Sequence, residues 1–445
     1  MNQLREERER RGLSRPRAAD ELESLAHRRQ VPVTASRDSL IRYLREWEHG
    51  RNTPQMPYRD LLCELYGKTA EELGISTAPP QARSDIGLIY SPSLAETLTT
   101  VSGLARLDTQ RHPGVLAGRF SEEAVYAACL DWLFGSPRSD HKATTTRVTA
   151  QDVDEIAETT VMFDRMERTF GGDQSRDMAV KYLHDHVIPK LSGSYPDKVG
   201  RDLFHAAAVL CEVIGYMAYD ADRHALAQRY FIQALRFAKE ASDPTYGAYV
   251  LTTMSHQAMY LGKPREALRL AQAARQSSTG AHVVAVHTEA AMHEARAYAA
   301  LRDHGGATQA LVAAEQSFAR QITGVGPNWA AHWGETVFAA FAGACWLDLG
   351  HAVHARPHLT LAAQSSEGQA RRVVYSAAQL ARLSLLEGDV EQATTYALAT
   401  VDAATGLKSK RSKQVVRDLH LEFKTRSDVL PIQAFLTRAH DLLAE

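Results

Sequence analysis

One spacing limits what this chain can fold into more than any other feature. A turn residue is followed five positions later by an alanine inside a helix-forming run. The pairs are Asp222 and Ala227, Gly262 and Ala267, Gly305 and Ala310, Gly350 and Ala355, and Gly388 and Ala393. By their positions the five copies recur at steps of 38–45 residues. Glycine or aspartate lets two helices meet at a tight turn, and alanine lets the second helix pack closely on the first. A single hairpin of this kind cannot bury its apolar face, so the copies must stack. The alternative is a non-repetitive helical bundle with coincident glycines. Alanine- and leucine-rich windows with 3.6-residue spacing run from end to end, without alternating strands or an Asn-Gly hairpin signal. The expected class is all-α, and 445 residues exceed what one core serves.

The repeat also resembles something known. Tyr260-Leu261-Gly262-Lys263-Pro264-Arg265-Glu266-Ala267-Leu268 is similar to the turn region of a tetratricopeptide repeat, with a period longer than that family's norm. The expected organisation is an N-terminal helical head over residues 1–75, a linker and partly helical connector over 76–150, and a tetratricopeptide-like α-solenoid over 151–445. Pro79 and Pro80 mark the linker, Ser121 starts a helix at Glu122–Phe134, and Thr149 with Asp152 forms a capping box at the next.

The head reads as three helices followed by closing ones. The first, Asn2–Arg11, stops at Gly12. The second is capped by Ser14, with Pro16 in its first turn, where a missing N–H costs nothing. Ser36 caps the third, Arg37–His49, which ends at Gly50. In this helix Leu40, Ile41, Leu44 and Trp47 form one apolar stripe, and Asp38, Ser39, Arg42, Arg45 and Glu46 hold the opposite face. A helix with short polar residues and arginine outward suits the major groove of DNA, and its N-terminal residues are the ones that reach base edges. The free N–H groups behind Ser14 suit a phosphate, with Arg15 and Arg17 beside them. Every Lys-or-Arg position in the first sixty residues is arginine, which favours bidentate contact, although genomic base bias alone explains that choice.

Leu4-Arg5, Gly12-Leu13-Ser14, Leu44-Arg45-Glu46-Trp47-Glu48-His49-Gly50 and Pro54 together resemble the xenobiotic-response-element (Cro/phage-repressor-like) helix-turn-helix family. Tyr58–Gly67 and Glu71–Gly74 are similar to the closing helices of actinobacterial members. The rest, with Met178–Asp185 and Tyr219–Leu235, resembles the tetratricopeptide-like half of actinobacterial regulators of development and antibiotic production. The resemblance implies a transcriptional regulator, often a repressor, without catalysis. Its partners are double-stranded DNA, a second copy of itself, and a peptide or small-molecule effector. On this reading Arg37, Asp38, Ser39 and Arg42 read bases, and Ser14, Arg15, Arg17, Arg45, Arg51 and Thr53 meet phosphate. A protein-interaction scaffold with a docking head is the competing reading.

Two polar groupings in the repeats stand out as ligand candidates. Tyr219, Arg223, His224, Gln228, Arg229 and Gln233 crowd hydrogen-bonding groups near one helix, as a ligand face or as an inter-repeat network. Asn328, Trp329, His332 and Trp333 follow one another within a helical turn, as an aromatic site or as core. No cofactor or metal is expected. His351, His354 and His358 share a helical face, but Pro357 interrupts it and zinc usually draws ligands from more than one element. Phosphate-loop, dinucleotide and nucleophile-elbow motifs are absent, so catalysis is not expected. Hydrophobic residues make up 44% and charged residues 23%, an ordinary soluble balance. Without an eighteen-residue apolar run, membrane association is not expected either. A charged start without an apolar stretch speaks against a leader segment. Four scattered cysteines speak for a reducing, cytoplasmic setting.

Overall fold

The computed structural model describes residues 3–29, 31, 35–49, 54, 57–70, 72–75, 85–138, 144–170, 172–280, 283–321, 326–331, 333–365, 370–407 and 409–444. Among these the fold is all-α, without a strand. The chain divides into two compact units, residues 1–83 and 84–445.

The first unit contains α1 (Gln3–Arg10), α2 (Arg15–Arg28), α3 (Arg37–Glu48) and α4 (Tyr58–Tyr66). Both expected caps form: Ser14 Oγ accepts from the Arg17 N–H and Ser36 Oγ from the Ser39 N–H. Leu40 and Leu44 are fully buried and Trp47 nearly so, in a core with Leu4, Leu22, Leu62 and Tyr66. Ile41 is only partly covered at its edge.

The second unit opens with α5 (Leu94–Thr109), a single turn at Pro113–Leu116, and α6 (Glu122–Phe134). Then come α7 (Ala150–Phe170) and α8 (Gly172–Tyr182), which runs on through a π turn at Leu183–Val187. Six hairpins follow: α9 (Asp197–Asp220) with α10 (His224–Glu240), α11 (Pro244–Tyr260) with α12 (Pro264–Ser277), and α13 (Val284–Ala300) with α14 (His304–Phe318). The last three are α15 (Glu335–Asp348) with α16 (Ala352–Gln364), α17 (Ala370–Glu387) with α18 (Val390–Ala404), and α19 (Lys410–Lys424) with α20 (Leu430–Ala444). Each hairpin packs on the next. The helix α9 is the one described helix long and apolar enough to cross a membrane, and 78% of its apolar window is buried inside this unit.

The repeat is present, with one correction to its register. Asp222, Gly262, Gly350 and Gly388 take left-handed backbone at their turns, as the spacing requires. In the third copy that role falls to Arg302 (φ 62°), and Gly305 lies inside α14. The alanine five residues on is therefore Ala307, not Ala310. The hydrogen bonds repeat with the same offsets. The Arg302 N–H donates to Ala299 and the Asp303 N–H to Tyr298, as Gly262 does to Met259 and Lys263 to Ala258. Ala227, Ala267, Ala307, Ala355 and Ala393 are all fully buried. A methyl group at Gly305 meets only open space and an Asp303 oxygen at 3.7 Å, whereas Gly350 sits at φ 80°. Gly305→Ala should therefore stabilise the chain by up to about 1 kcal/mol. Gly350→Ala should cost about 1 kcal/mol. The two shifts of thermal midpoint should have opposite signs, and equal losses would restore the original register.

The stretch expected as a connector is part of the second unit's core. Leu94, Val101, Leu104, Val125 and Trp132 are buried against the hairpins, and α6 packs on both α10 and α12. Asp108 of α5 forms a buried ion pair with Arg176 of α8 and accepts from the Tyr230 hydroxyl at 2.9 Å. The sequence signal is weak here because these helices cover others and carry no repeat of their own.

Candidate functional site

In the first unit α3 is held by a carboxylate at its end. Glu48 is 3% exposed. It accepts from Arg8 Nη2 at 3.1 Å and Arg15 Nε at 2.9 Å, and a further Arg8 nitrogen reaches its other oxygen. One side chain thus ties α1, the start of α2 and the end of α3. Arg15, expected on phosphate, is at least partly a strut of this cluster. Arg37, expected on bases, lies in an exposed two-pronged pair with Asp20 of α2, and that guanidinium holds the Asp20 carboxyl below its usual range. Ser39 turns its hydroxyl to Ser36 Oγ at 3.0 Å. Asp38, Arg42 and Arg45 are exposed, and no described residue hydrogen-bonds their side-chain charges. Arg42 rests over the Tyr43 ring at 5.4 Å. Ser14 and Arg17 are exposed at the N-terminus of α2. Arg51 and Thr53 lie outside the described residues. The polar face of α3 thus presents Asp38, Arg42 and Arg45 outward, flanked by the Arg37–Asp20 pair.

The first ligand candidate of the repeats is committed internally. Gln228, Arg229 and Gln233 are buried on α10. Gln228 Oε1 accepts from the Ser121 N–H at 2.9 Å. Gln233 Nε2 donates to the Gly87 and Ile89 carbonyls at 3.0 and 3.2 Å. Arg229 donates to the Ile86 carbonyl, and Arg236, two turns on, donates to the Ser91 and Pro92 carbonyls at 2.7 and 3.1 Å. The reason is elementary: a non-helical segment laid against a helix has no backbone partners of its own, and buried carbonyls must be satisfied. His224 pairs with Asp222 at 2.9 Å, and its ring lies tilted against Tyr260 at 5.2 Å. Arg223 occupies the N-cap of α10. Gln233→Leu should cost about 1–3 kcal/mol of stability. A variant as stable as the parent in a denaturant titration would return Gln233 to the list of ligand contacts.

The second candidate also resolves into packing. Asn328 and Trp329 stand in a short 3-10 turn rather than a helix. Asn328 is exposed, and Trp329 lies against Tyr246 and Tyr249 at 5.0 and 5.1 Å. Trp333 is buried edge-on to Phe341 at 5.3 Å, and His332 lies outside the described residues. His351 and His354 rest on the Trp346 ring.

A different site lies in the interior of the second unit. The first helices of the six hairpins, with α7 and Ala362 of α16, line a cavity of about 630 Å³. Its rings include Tyr216, Tyr249, Tyr375 and Phe341. At one end Asp220, the last residue of α9, accepts from Arg411 Nε and Ser409 Oγ of the final hairpin, each at 3.1 Å. Arg411 also donates to the Tyr216 hydroxyl at 3.1 Å and lies 4.5 Å above the Tyr219 ring. Arg371 of α17 donates to Glu167 of α7 at 3.0 Å and approaches Asp220 at 3.6 Å. Further along, Arg296 of α13 lies 5.5 Å over the Phe341 ring. Its guanidinium is 3.7 Å from Asp348, which Arg382 approaches at 3.8 Å. Burial pushes the His256 imidazole well below the usual histidine range, and His293, Arg411 and Arg296 push it the same way.

Sequence reading missed this cavity because its walls come from helices spread between residues 164 and 422. The available signal was the arginine on the first helix of several hairpins, at 296, 371, 382 and 411. No protein-family model matches the chain, and no curated protein matches it.

Proposed function

We propose that the chain is a sequence-specific, DNA-binding transcriptional regulator of the helix-turn-helix kind. It acts as a homodimer in the cytoplasm without catalysis. Its hairpin array serves as a tetratricopeptide-like α-solenoid that joins subunits and senses an effector. The observation that carries this reading is the asymmetry of α3: Leu40, Leu44 and Trp47 are buried, while Asp38, Arg42 and Arg45 face outward. An α-helix of this width and face fits the major groove. The exposed N-terminus of α2, capped by Ser14 with Arg17 beside it, supports a phosphate contact. One head of this size covers one half-site, which favours two copies.

The test is retention of genomic fragments in a gel, repeated across salt concentrations. A sequence-selected fragment should be retained, with affinity falling steeply as salt rises. On that fragment Arg42→Ala should cost about 1–3 kcal/mol, and distinctly less on random DNA. Equal loss on both would move Arg42 to the DNA backbone. Retention without any sequence preference would sink the regulator and leave the scaffold.

A further inference from the structure

We infer that the cavity of the second unit binds a small aromatic acid. Its planar body would lie among the Tyr249, Tyr375 and Phe341 rings, its anionic group on Arg296, and a hydroxyl or N–H of the same molecule on Gln379. This deepens the sensor role proposed above and rests on it. Three observations carry the inference.

The first is size and surface. A volume of about 630 Å³ is that of a site for a drug-sized molecule. Aromatic rings with a few convergent polar groups favour a flat, conjugated body.

The second is an incomplete hydrogen-bond inventory. Among the described residues, Arg296 Nε and Gln379 Oε1 are buried side-chain atoms without a partner, and both residues line this cavity. One is a donor and the other an acceptor, and the Arg296 side chain as a whole remains 25% exposed, so a molecule seated here would offer an acceptor to arginine and a donor to glutamine.

The third is charge. Arg411 has Asp220, Arg371 has Glu167, and Arg382 has Glu422, each at 3.0–3.1 Å. Arg296 has only Asp348 at 3.7 Å, shared with Arg382. Of the other lining carboxylates, Glu212 accepts from Thr253 at 3.2 Å, Asp418 accepts from Gln414 at 2.7 Å, and Asp164 stands on α7. Arg372 also lines the cavity, but Arg296 is the lining arginine with a buried Nε that lacks a hydrogen-bond partner among the described residues, and the Nε edge of arginine suits a carboxylate in two-pronged fashion. Burial is the main reason the His256 imidazole is less basic than usual, and the nearby Arg411 and Arg296 charges add to it.

The experiment is a fluorescence titration of the full chain with 8-anilinonaphthalene-1-sulfonate, a flat aromatic anion with an N–H donor. Emission should shift to the blue and saturate at one molecule per chain. 1-Naphthoate should displace the dye, and 1-naphthylmethylammonium, of the same shape and opposite charge, should be at least about tenfold weaker. Arg296→Met and the cavity-filling Ala340→Trp should each weaken the dye at least about tenfold with helical circular dichroism unchanged. Arg42→Ala should leave dye binding as it is. Absence of saturation, equal displacement by the cation, or parental binding in both folded variants would overturn the inference. The competition between the two naphthalenes needs no variant, so it decides the matter even if a substitution prevents folding. Because no DNA enters this assay, naphthoate binding without fragment retention would sink the regulator alone. Retention without naphthoate binding would sink this inference alone.

Discussion

Glu48→Ala should destabilise the first unit by about 3–5 kcal/mol and leave the second unit's melting unchanged. The Glu48 side chain is fully buried, and Arg8 beside it is only 8% exposed. Removing the carboxylate leaves the Arg8 guanidinium with the Leu13 carbonyl and a long contact to Glu9 at 3.4 Å. A buried charge that loses its partner costs far more than the pair contributed. The loss should show in calorimetry as an early transition belonging to residues 1–83, and in proteolysis as cleavage confined to them. Binding to any DNA should fall with it, because α3 loses its anchor to α1 and α2. A loss below about 1 kcal/mol would mean that water reaches Arg8 and that the cluster behaves like a surface pair.

Asp220→Asn should destabilise the second unit by a comparable amount, about 3–5 kcal/mol. Asp220 is 1% exposed and receives Arg411, Ser409 and, at longer range, Arg371. Asparagine keeps the size and removes the charge, so two guanidiniums are left facing each other. The first visible consequence should be protease sensitivity of α19 and α20. Asp402→Asn is the natural control, since it breaks the exposed pair with Arg438 on the neighbouring helices. That change should stay within about 0.5 kcal/mol. Equal effects of the two substitutions would show that the Asp220 cluster does not close the unit.

What the sequence disclosed follows from how local each feature is. Ser14 and Ser36 act on N–H groups three residues away, and the Leu40–Trp47 stripe belongs to one helix, so both were readable. The turn at Arg302 was not, because arginine gives no sign of left-handed backbone. The nearest clue was Asp303, which caps α14 by accepting from the Gly306 N–H. Gln228, Arg229 and Gln233 form a polar face that looks the same whether it awaits a ligand or a backbone. Their partners lie more than a hundred residues earlier, and nothing in the local pattern selects them. Glu48 was visible as part of a motif, yet its burial depends on α1 and α2 arriving together. The cavity is the extreme case, since its walls are gathered from eight helices between residues 164 and 422.

The bond between Asp220 and Arg411 has a consequence for communication. A row of units with free ends transmits a disturbance only to the next neighbour, and it fades along the row. Fastening the last member to the first makes a circuit, in which displacing any wall strains the clasp itself. A molecule that spreads or draws in these walls therefore loads the bond between residues 220 and 411 as well as the hairpins it touches.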